Sequence, residues 1–369
     1  MKKLGFGCMR LPMLGGPEGV IDQAQFNQMV DRYMEEGFCY FDTAHVYLGG
    51  QSETALREGL VNRYPRDSFV LTDKLSGSCF SSEEEIIPLF QRQLTATGVE
   101  YFDYYLMHSM SAAVYEKFTQ LHAFETAQSL KAQGKIRHIG ISFHDKPAVL
   151  EQILSEHPEI EVVQIQLNYL DYDDPSIESG DVYKVCRKFN KPILVMEPVR
   201  GGALAQLPPE AQEIFDRRQN GSAASYAIRY AASFPGVMMV LSGMSDLAQM
   251  EDNLSYMQNP KPLTQEELEA VHRVRDILRA QNTVPCTACR YCVAGCPQRI
   301  LIPNLLACLN SQRKYQDWGS TYYYGVHTKD RGRASDCIGC GKCEKICPQH
   351  LPIRTLLKET AEVFESQNQ

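Results

Sequence analysis

Eight short runs rich in β-branched and aromatic residues recur along the first 260 residues, and amphipathic helical stretches separate them. The runs are LGFGCMRL (4–11), CYFDTA (39–44), FVLTDKL (69–75), FDYYLMHS (102–109), IRHIGISF (136–143), VVQIQLN (162–168), PILVMEP (192–198) and VMMVLSGM (237–244). In QAQFNQMVDRYMEEG, Phe26, Met29, Val30, Tyr33 and Met34 return at the interval of one helix face. Strands alternating with helices build a parallel sheet, because parallel neighbours need a crossover between them. Eight such units predict an α/β fold, a (β/α)8 TIM barrel with its chemistry at the C-terminal ends of the strands. A chain of 369 residues, 44% of them hydrophobic, can fill that barrel and still form a smaller second domain. No phosphate-binding motif competes. GFGCMR (5–10) lacks a third glycine and is not followed by a helix start.

Charge narrows the partners. With 37 basic against 45 acidic side chains, the formal net charge of −8 argues against nucleic acid or anionic lipid and for a small molecule. In MKKLGFGCMRLPM, Arg10 and Pro12 interrupt the apolar run a signal peptide needs. No stretch approaches the ~18 apolar residues of a membrane span. The expectation is a cytoplasmic protein.

Four chemically active residues fall at successive strand ends. Asp42 and Tyr47 lie in FDTAHVY, Lys74 in LTDKL and His108 in YLMHS, so one rim should gather all four. A free phenol has a pKa of about 10, and a nearby ammonium lowers it toward the range of a useful acid. Lys74 is placed to act so on Tyr47. Asp42 supplies the counter-charge a buried lysine needs, and a neutral His108 can hold and polarise a carbonyl oxygen.

Over residues 1 to about 280 the sequence resembles the aldo-keto reductase superfamily. Asp42, Tyr47, Lys74 and His108 match its catalytic tetrad in order, spacing and strand context, including the flanking FDTA. The resemblance implies NADPH or NADH bound across the rim, hydride transfer to an aldehyde or ketone (or the reverse alcohol oxidation), and Tyr47 as general acid. Gln164 and Ser142 match the family's carboxamide-binding residues, but Phe143 replaces the asparagine that usually follows the serine. Met196 stands where many members stack a tyrosine on the nicotinamide. Ser242, Gly243, Met244, Gln249, Asp252 and Asn253 occupy the segment that holds the adenosine half. Gly243 and Gln249 replace the Lys and Arg that many NADPH-preferring members place against the 2′-phosphate. That leaves NADH open, with Arg200 as a substitute cation for NADPH. No flavin fingerprint is visible.

The tail follows a different pattern. PLTQEELEAVHRVRDILRAQ (262–281) reads as a helix capped by Thr264. Nine of the thirteen cysteines follow residue 285, and eight of them form two C-x2-C-x2-C-x3-C-P runs. The first is Cys286, Cys289, Cys292 and Cys296 before Pro297; the second is Cys337, Cys340, Cys343 and Cys347 before Pro348. Disulfides are not expected in a cytosolic chain, so the runs point to a metal centre. The spacing predicts two [4Fe-4S] clusters, the fourth cysteine of each run starting a helix; a structural zinc site is the remaining reading. By resemblance to two-cluster ferredoxins, Cys286, Cys289, Cys292 and Cys347 hold one cluster, and Cys337, Cys340, Cys343 and Cys296 the other. The helical stretch PNLLACLNSQRKY between the runs favours the helical, succinate-dehydrogenase-like type. Cys308, like Cys39, Cys79 and Cys186, reads as a core residue, and Trp318 and Tyr322 to Tyr324 as core packing.

The predicted organisation is therefore a barrel over 1–282 and a mainly helical iron-sulfur domain over 283–369. The leading function is a carbonyl oxidoreductase whose clusters exchange electrons with the site or with an electron-transfer protein. Two alternatives stand beside it: the same reductase with structural clusters, and a non-enzymatic redox-sensing regulator. The substrate itself and the oligomeric state are not legible in the residues.

Overall fold

The structure is a computed structural model in which all residues are described except 16–18, 176, 281–283, 287, 317, 348 and 367–369. Pro348, the end of the capped helix at 281 and the boundary between 282 and 283 lie outside the described residues.

Each of the eight runs contains a strand. In chain order the strands are β1 (Leu4–Gly7), β2 (Met13–Leu14), β3 (Val20–Ile21), β4 (Tyr40–Asp42), β5 (Val70–Leu75), β6 (Phe102–Met110), β7 (Ile136–Phe143), β8 (Val162–Gln166), β9 (Ile193–Met196) and β10 (Val237–Ser242). All but β2 and β3 close a parallel barrel in the order β1-β10-β9-β8-β7-β6-β5-β4, with β4 pairing back to β1. β2 and β3 form a small antiparallel hairpin that the sequence reading missed, two residues per strand being too few for a period-2 pattern.

Inside the barrel, Tyr40, Leu106, Val162, Leu194, Met239 and Leu241 pack as one apolar cluster. Gly140 leaves that space free: a Cβ there would lie 2.5 Å from Val162 Cγ1 and 2.6 Å from Leu106 Cδ2. Outside it, the helix Gln23–Glu35 presents Phe26, Met29, Val30 and Tyr33 to the sheet, and the Phe6 ring lies 5.7 Å from both Phe26 and Tyr33. Register sets the rim. Gly7 pairs Asp42, Asp42 pairs Thr72, Lys74 pairs Leu106, Ser142 pairs Gln164 and Phe6 pairs Ser242, which sets Asp42, Lys74, Ser142, Gln164 and Ser242 toward the same end of the barrel.

Contacts divide the chain into two compact units, one comprising Met1–Tyr169 with Gly180–Val271, the other Leu170–Ser179 with His272–Gln369. The segment Leu170–Ser179 was expected within the barrel. It joins the second unit because Arg275 pairs with Asp173 at 3.4 Å, Arg279 donates to the Leu170 carbonyl at 2.7 Å and Asn304 donates to the Pro175 carbonyl at 2.9 Å. Ile177 also enters that unit's apolar core.

The second unit is helical, with Ile302–Tyr315, Trp318–Thr328 and Ile353–Glu365 as its longer helices beyond residue 284. Leu305, Leu309, Tyr323, Tyr324, Ile353, Leu357 and Phe364 fill its core, the Tyr324 and Phe364 rings stacking at 4.6 Å. Cys308 and Cys186 are buried as expected, whereas Cys39 and Cys79 are half-buried. Trp318 is not core: it is 59% exposed at the start of its helix, against Tyr322 one turn on. The fourth cysteines do not start helices either. Cys296 and Cys347 follow the short helices Tyr291–Ala294 and Lys342–Ile346, and the next helices begin only at Ile302 and Ile353. Among the described residues, no helix is long and apolar enough to cross a membrane.

Candidate active site

The four strand-end residues converge. Lys74, at the end of β5, is fully buried, and its Nζ donates to Asp42 Oδ1 at 2.6 Å, to the Thr43 carbonyl at 2.7 Å and to Tyr47 Oη at 3.2 Å. Three acceptors match the three donors of an ammonium. Asp42 spends its other oxygen on Gln164, whose Nε2 donates to Oδ2 at 3.1 Å. The His108 ring stands edge-on to the Tyr47 ring at 5.9 Å, and its Nδ1 is bonded to Ser76 Oγ at 2.6 Å, which leaves Nε2 as the nitrogen for a ligand.

Burial sets the protonation states here. It pushes the Asp42 carboxyl above the ordinary carboxylate range, against the pull of Lys74. It also disfavours the Lys74 ammonium, but Asp42 and Tyr47 more than offset that, so the lysine is held charged. Burial, with Lys74 and His144 adding to it, holds His108 well below the ordinary imidazole value, so the ring is neutral. For Tyr47 the expected lowering by Lys74 is present, yet burial outweighs it and the phenol sits above its usual value. The result is a protonated phenol beside a fixed ammonium, with a neutral imidazole facing it. Such a set can donate a proton to an oxygen while polarising it.

The sequence reading missed His144. It follows β7, is buried, and is pushed down to about 4 by burial and the Lys74 charge, which makes it a second neutral imidazole near the lysine. Its only sequence signal was its place two residues after Ser142.

The expected cofactor residues divide by burial. Ser142 is buried and its Oγ accepts the Ser109 N–H at 2.8 Å, bracing the register shift within β6 between Met107 and Met110, where Ser109 has φ +55°. Met196 ends β9 and is half-buried, open enough to cover a ring. Arg200 is buried with φ +48°. Ser242 accepts from Asn253 Nδ2 at 2.8 Å, and Asp252 accepts from Ser222 Oγ at 2.7 Å, so these groups brace the loop after β10. The Met244 side chain is fully buried, which leaves only its backbone for a ligand. Gln249 is tied into the helix cap, its N–H and Nε2 both donating to Asp246 at 2.8 Å. Gly243 carries no side chain, and a Cβ placed there would meet only ordinary contacts, the nearest being Arg10 Cβ at 3.6 Å. At Gly243 the rim thus presents backbone rather than a side chain.

In the second unit the eight cysteines form two sets. Cys286, Cys289, Cys292 and Cys347 line one pocket, and Cys296, Cys337, Cys340 and Cys343 line another. Each set takes three thiols from one run and the fourth from the other. Among the described residues, no three Cys, His, Asp or Glu side chains close on a single ion. Four thiols spread around a cavity suit a multi-iron cluster better than one tetrahedral zinc.

Comparison with known proteins agrees with both halves. The aldo/keto reductase family model matches residues 3–276, and a 4Fe-4S dicluster domain matches 285–351. An uncharacterised oxidoreductase of Bacillus subtilis is 24% identical over 77% of this chain and 96% of its own length. L-galactose dehydrogenase of Arabidopsis thaliana is 24% identical over 73% of this chain and 89% of its own. Among solved structures, an aldo-keto reductase of Bacillus halodurans superposes with a TM-score of 0.60 at 24% identity, covering 74% of this chain and 91% of that one. An aldo-keto reductase of Klebsiella pneumoniae in complex with NADPH gives 0.60 at 19% identity, over 74% of this chain and 90% of its own. With its closed eight-stranded barrel and its two cysteine-lined cavities, the chain belongs to the aldo/keto reductase family and carries a 4Fe-4S dicluster domain after the barrel.

Proposed function

We propose that the chain interconverts a carbonyl and an alcohol at the rim of its barrel, with Asp42, Tyr47, Lys74 and His108 as the catalytic set. One observation carries the reading: a single buried ammonium touches Asp42 and Tyr47 together, with His108 facing the phenol. In the reducing direction Tyr47 Oη gives its proton to the carbonyl oxygen. The phenolate left behind is stabilised by Lys74 Nζ at 3.2 Å, and Asp42 keeps that ammonium charged and in place. His108, neutral and fixed through Ser76, donates a hydrogen bond from Nε2 to the same oxygen. Met196, half-buried, and the loop Ser242, Gly243 and Asn253 would hold NADPH or NADH, which would supply the hydride.

In the second unit Cys286, Cys289, Cys292 and Cys347 would hold one [4Fe-4S] cluster and Cys296, Cys337, Cys340 and Cys343 the other. Such clusters supply one-electron transfer, to the rim or to an electron-transfer protein. A second reading, clusters as fold pins, is favoured by their setting: Cys292 and Cys343 belong to the unit's apolar core, with Cys286, Cys296, Cys337 and Cys347 packed against it.

Tyr47→Phe tests the first reading. Carbonyl turnover should fall about 10²- to 10⁴-fold while NAD(P)H still binds; turnover at the wild-type rate would remove Tyr47 from its role. For the clusters, reduced nicotinamide is added without carbonyl to anaerobic, reconstituted protein. Bleaching with a reduced-cluster EPR signal supports electron exchange. Persistent colour that dithionite alone bleaches supports the structural reading or an outside partner.

A further inference from the structure

We infer that Arg10 is the phosphate-binding cation of the nucleotide site. Arg10 lies just beyond β1, and its guanidinium reaches across the ends of β9 and β10. Its Nη1 comes within 3.8 Å of the place a Cβ on Gly243 would take, and its Nη2 within 3.5 Å of that on Gly201. The guanidinium therefore lies at ordinary contact distance from both glycines, whose missing side chains leave the space beside it open. Ser245 Oγ donates to the Arg10 carbonyl at 3.2 Å, fastening the β1 loop to the β10 loop.

Charge and exposure favour an anion here. The Arg10 side chain is 44% exposed, and its ion pair with Glu197 is a single contact of 3.3 Å. A pair so open to water is weak, so the guanidinium can turn to a phosphate at little cost. Glu197 sits at φ +54° directly after β9, and Gly201 and Gly202, at φ +64° and +103°, follow Arg200 in the same loop. Glycines at 201, 202 and 243 let a bulky anion reach the backbone beside the cation. The loop after β10 brings no cation of its own, with glycine at 243 and Gln249 held in its cap. Arg200, on the β9 loop, is buried. Arg10 is thus the accessible positive charge where these three strands end, and its planar fork suits phosphate oxygens.

This inference rests on the proposed NAD(P)H site and names a residue for it. The phosphate is either the pyrophosphate common to both nucleotides or the 2′-phosphate of NADPH. The experiment titrates reconstituted, full-length protein with NADPH and separately with NADH, following the nicotinamide fluorescence, for wild type, Arg10→Gln and Arg10→Lys. Thermal unfolding of each variant checks that the barrel is intact. Loss of a charge-assisted contact should weaken binding about 10- to 100-fold in Arg10→Gln, with partial recovery in Arg10→Lys. Equal weakening of NADH and NADPH assigns Arg10 to the pyrophosphate, and weakening of NADPH alone assigns it to the 2′-phosphate. If Arg10→Gln binds both nucleotides as wild type does, the inference is overturned. If wild type itself binds neither, the nucleotide reading beneath it fails instead.

Discussion

Glu53 and Asp73 form a buried acidic pair beside Lys74 of the candidate site. Asp73 Oδ1 accepts the Lys74 backbone N–H at 2.7 Å and Gln93 Nε2 at 3.0 Å, and Glu53 Oε2 meets His45 Nδ1 at 2.9 Å. The remaining oxygens, Glu53 Oε1 and Asp73 Oδ2, are buried with no donor, which two adjacent carboxyls resolve by sharing one proton. Burial pushes Glu53 up to about 7, and burial with the Glu53 charge holds Asp73 well above the carboxylate range. A carboxyl with a raised folded-state value stabilises the fold fully below its ordinary value of 4.5 and loses that contribution as pH rises toward about 7. Glu53→Gln should therefore flatten the fall in thermal stability between these limits, by on the order of 2 kcal/mol. Unfolding temperature measured across pH 4 to 8 checks it, and parallel curves for variant and wild type would refute the shared proton. None of this was legible beforehand. Glu53 and Asp73 are twenty positions apart, and only the closure of β4, β5 and the helix Gln51–Leu56 brings them together. The four rim residues, by contrast, were legible because they lie at or just after the ends of three successive strand-forming runs, Asp42 and Tyr47 sharing the first of them.

Helix caps and strand glycines show where local sequence suffices for an element and where it does not. Thr264 does cap the helix Gln265–Ala280, its Oγ1 accepting the Glu267 N–H at 3.2 Å while Glu267 returns a bond to the Thr264 N–H at 2.8 Å. That reciprocal pair is a capping box, readable from T-x-x-E alone. What the spacing did not reveal is that Glu267 also holds Arg229 through two bonds of 2.9 and 3.0 Å. Thr264→Ala should cost about 1 kcal/mol, whereas Glu267→Ala should cost about 3 kcal/mol or more by stranding a mostly buried arginine; denaturant midpoints of the two variants give the comparison. Gly140 poses the opposite case. Within β7 it looks like a weak strand residue, yet a Cβ there would press on the Val162 carbonyl oxygen at 2.7 Å as well as on two side chains. Backbone cannot retreat inside a closed sheet, so Gly140→Ala should destabilise the barrel by about 1 to 3 kcal/mol. Equal stability would mean the β7 and β8 ladder has slack that its register does not suggest.

At the scale of the whole molecule the two units depend on different forces. The barrel closes its own sheet and encloses an apolar interior, so it needs no metal to hold together. In the second unit, cysteines of both runs are woven into one apolar core, and ligands crossing between the runs would tie residue 296 to 337 and 286 to 347. Stripping iron with a chelator should therefore melt the second unit, lowering near-UV dichroism from Trp318 and Tyr322 to Tyr324, while NAD(P)H binding at the rim persists. Loss of nucleotide binding in the stripped protein would show that the barrel depends on the clusters after all. Local periodicity and spacing in the sequence alone determined eight strands, their helices, the four residues of the rim and the eight thiols. The strands, helices and thiols repeat at intervals of two, three or four residues, and neighbouring side chains are enough to express them. The tertiary structure decided the closeness of Glu53 to Asp73, the place of Leu170–Ser179 and the reach of Arg10 to Gly243, while the two thiol sets it brings together are those the ferredoxin resemblance implied. Each of these depends on distances between segments far apart in the chain, set by barrel closure and core packing, which no local pattern encodes.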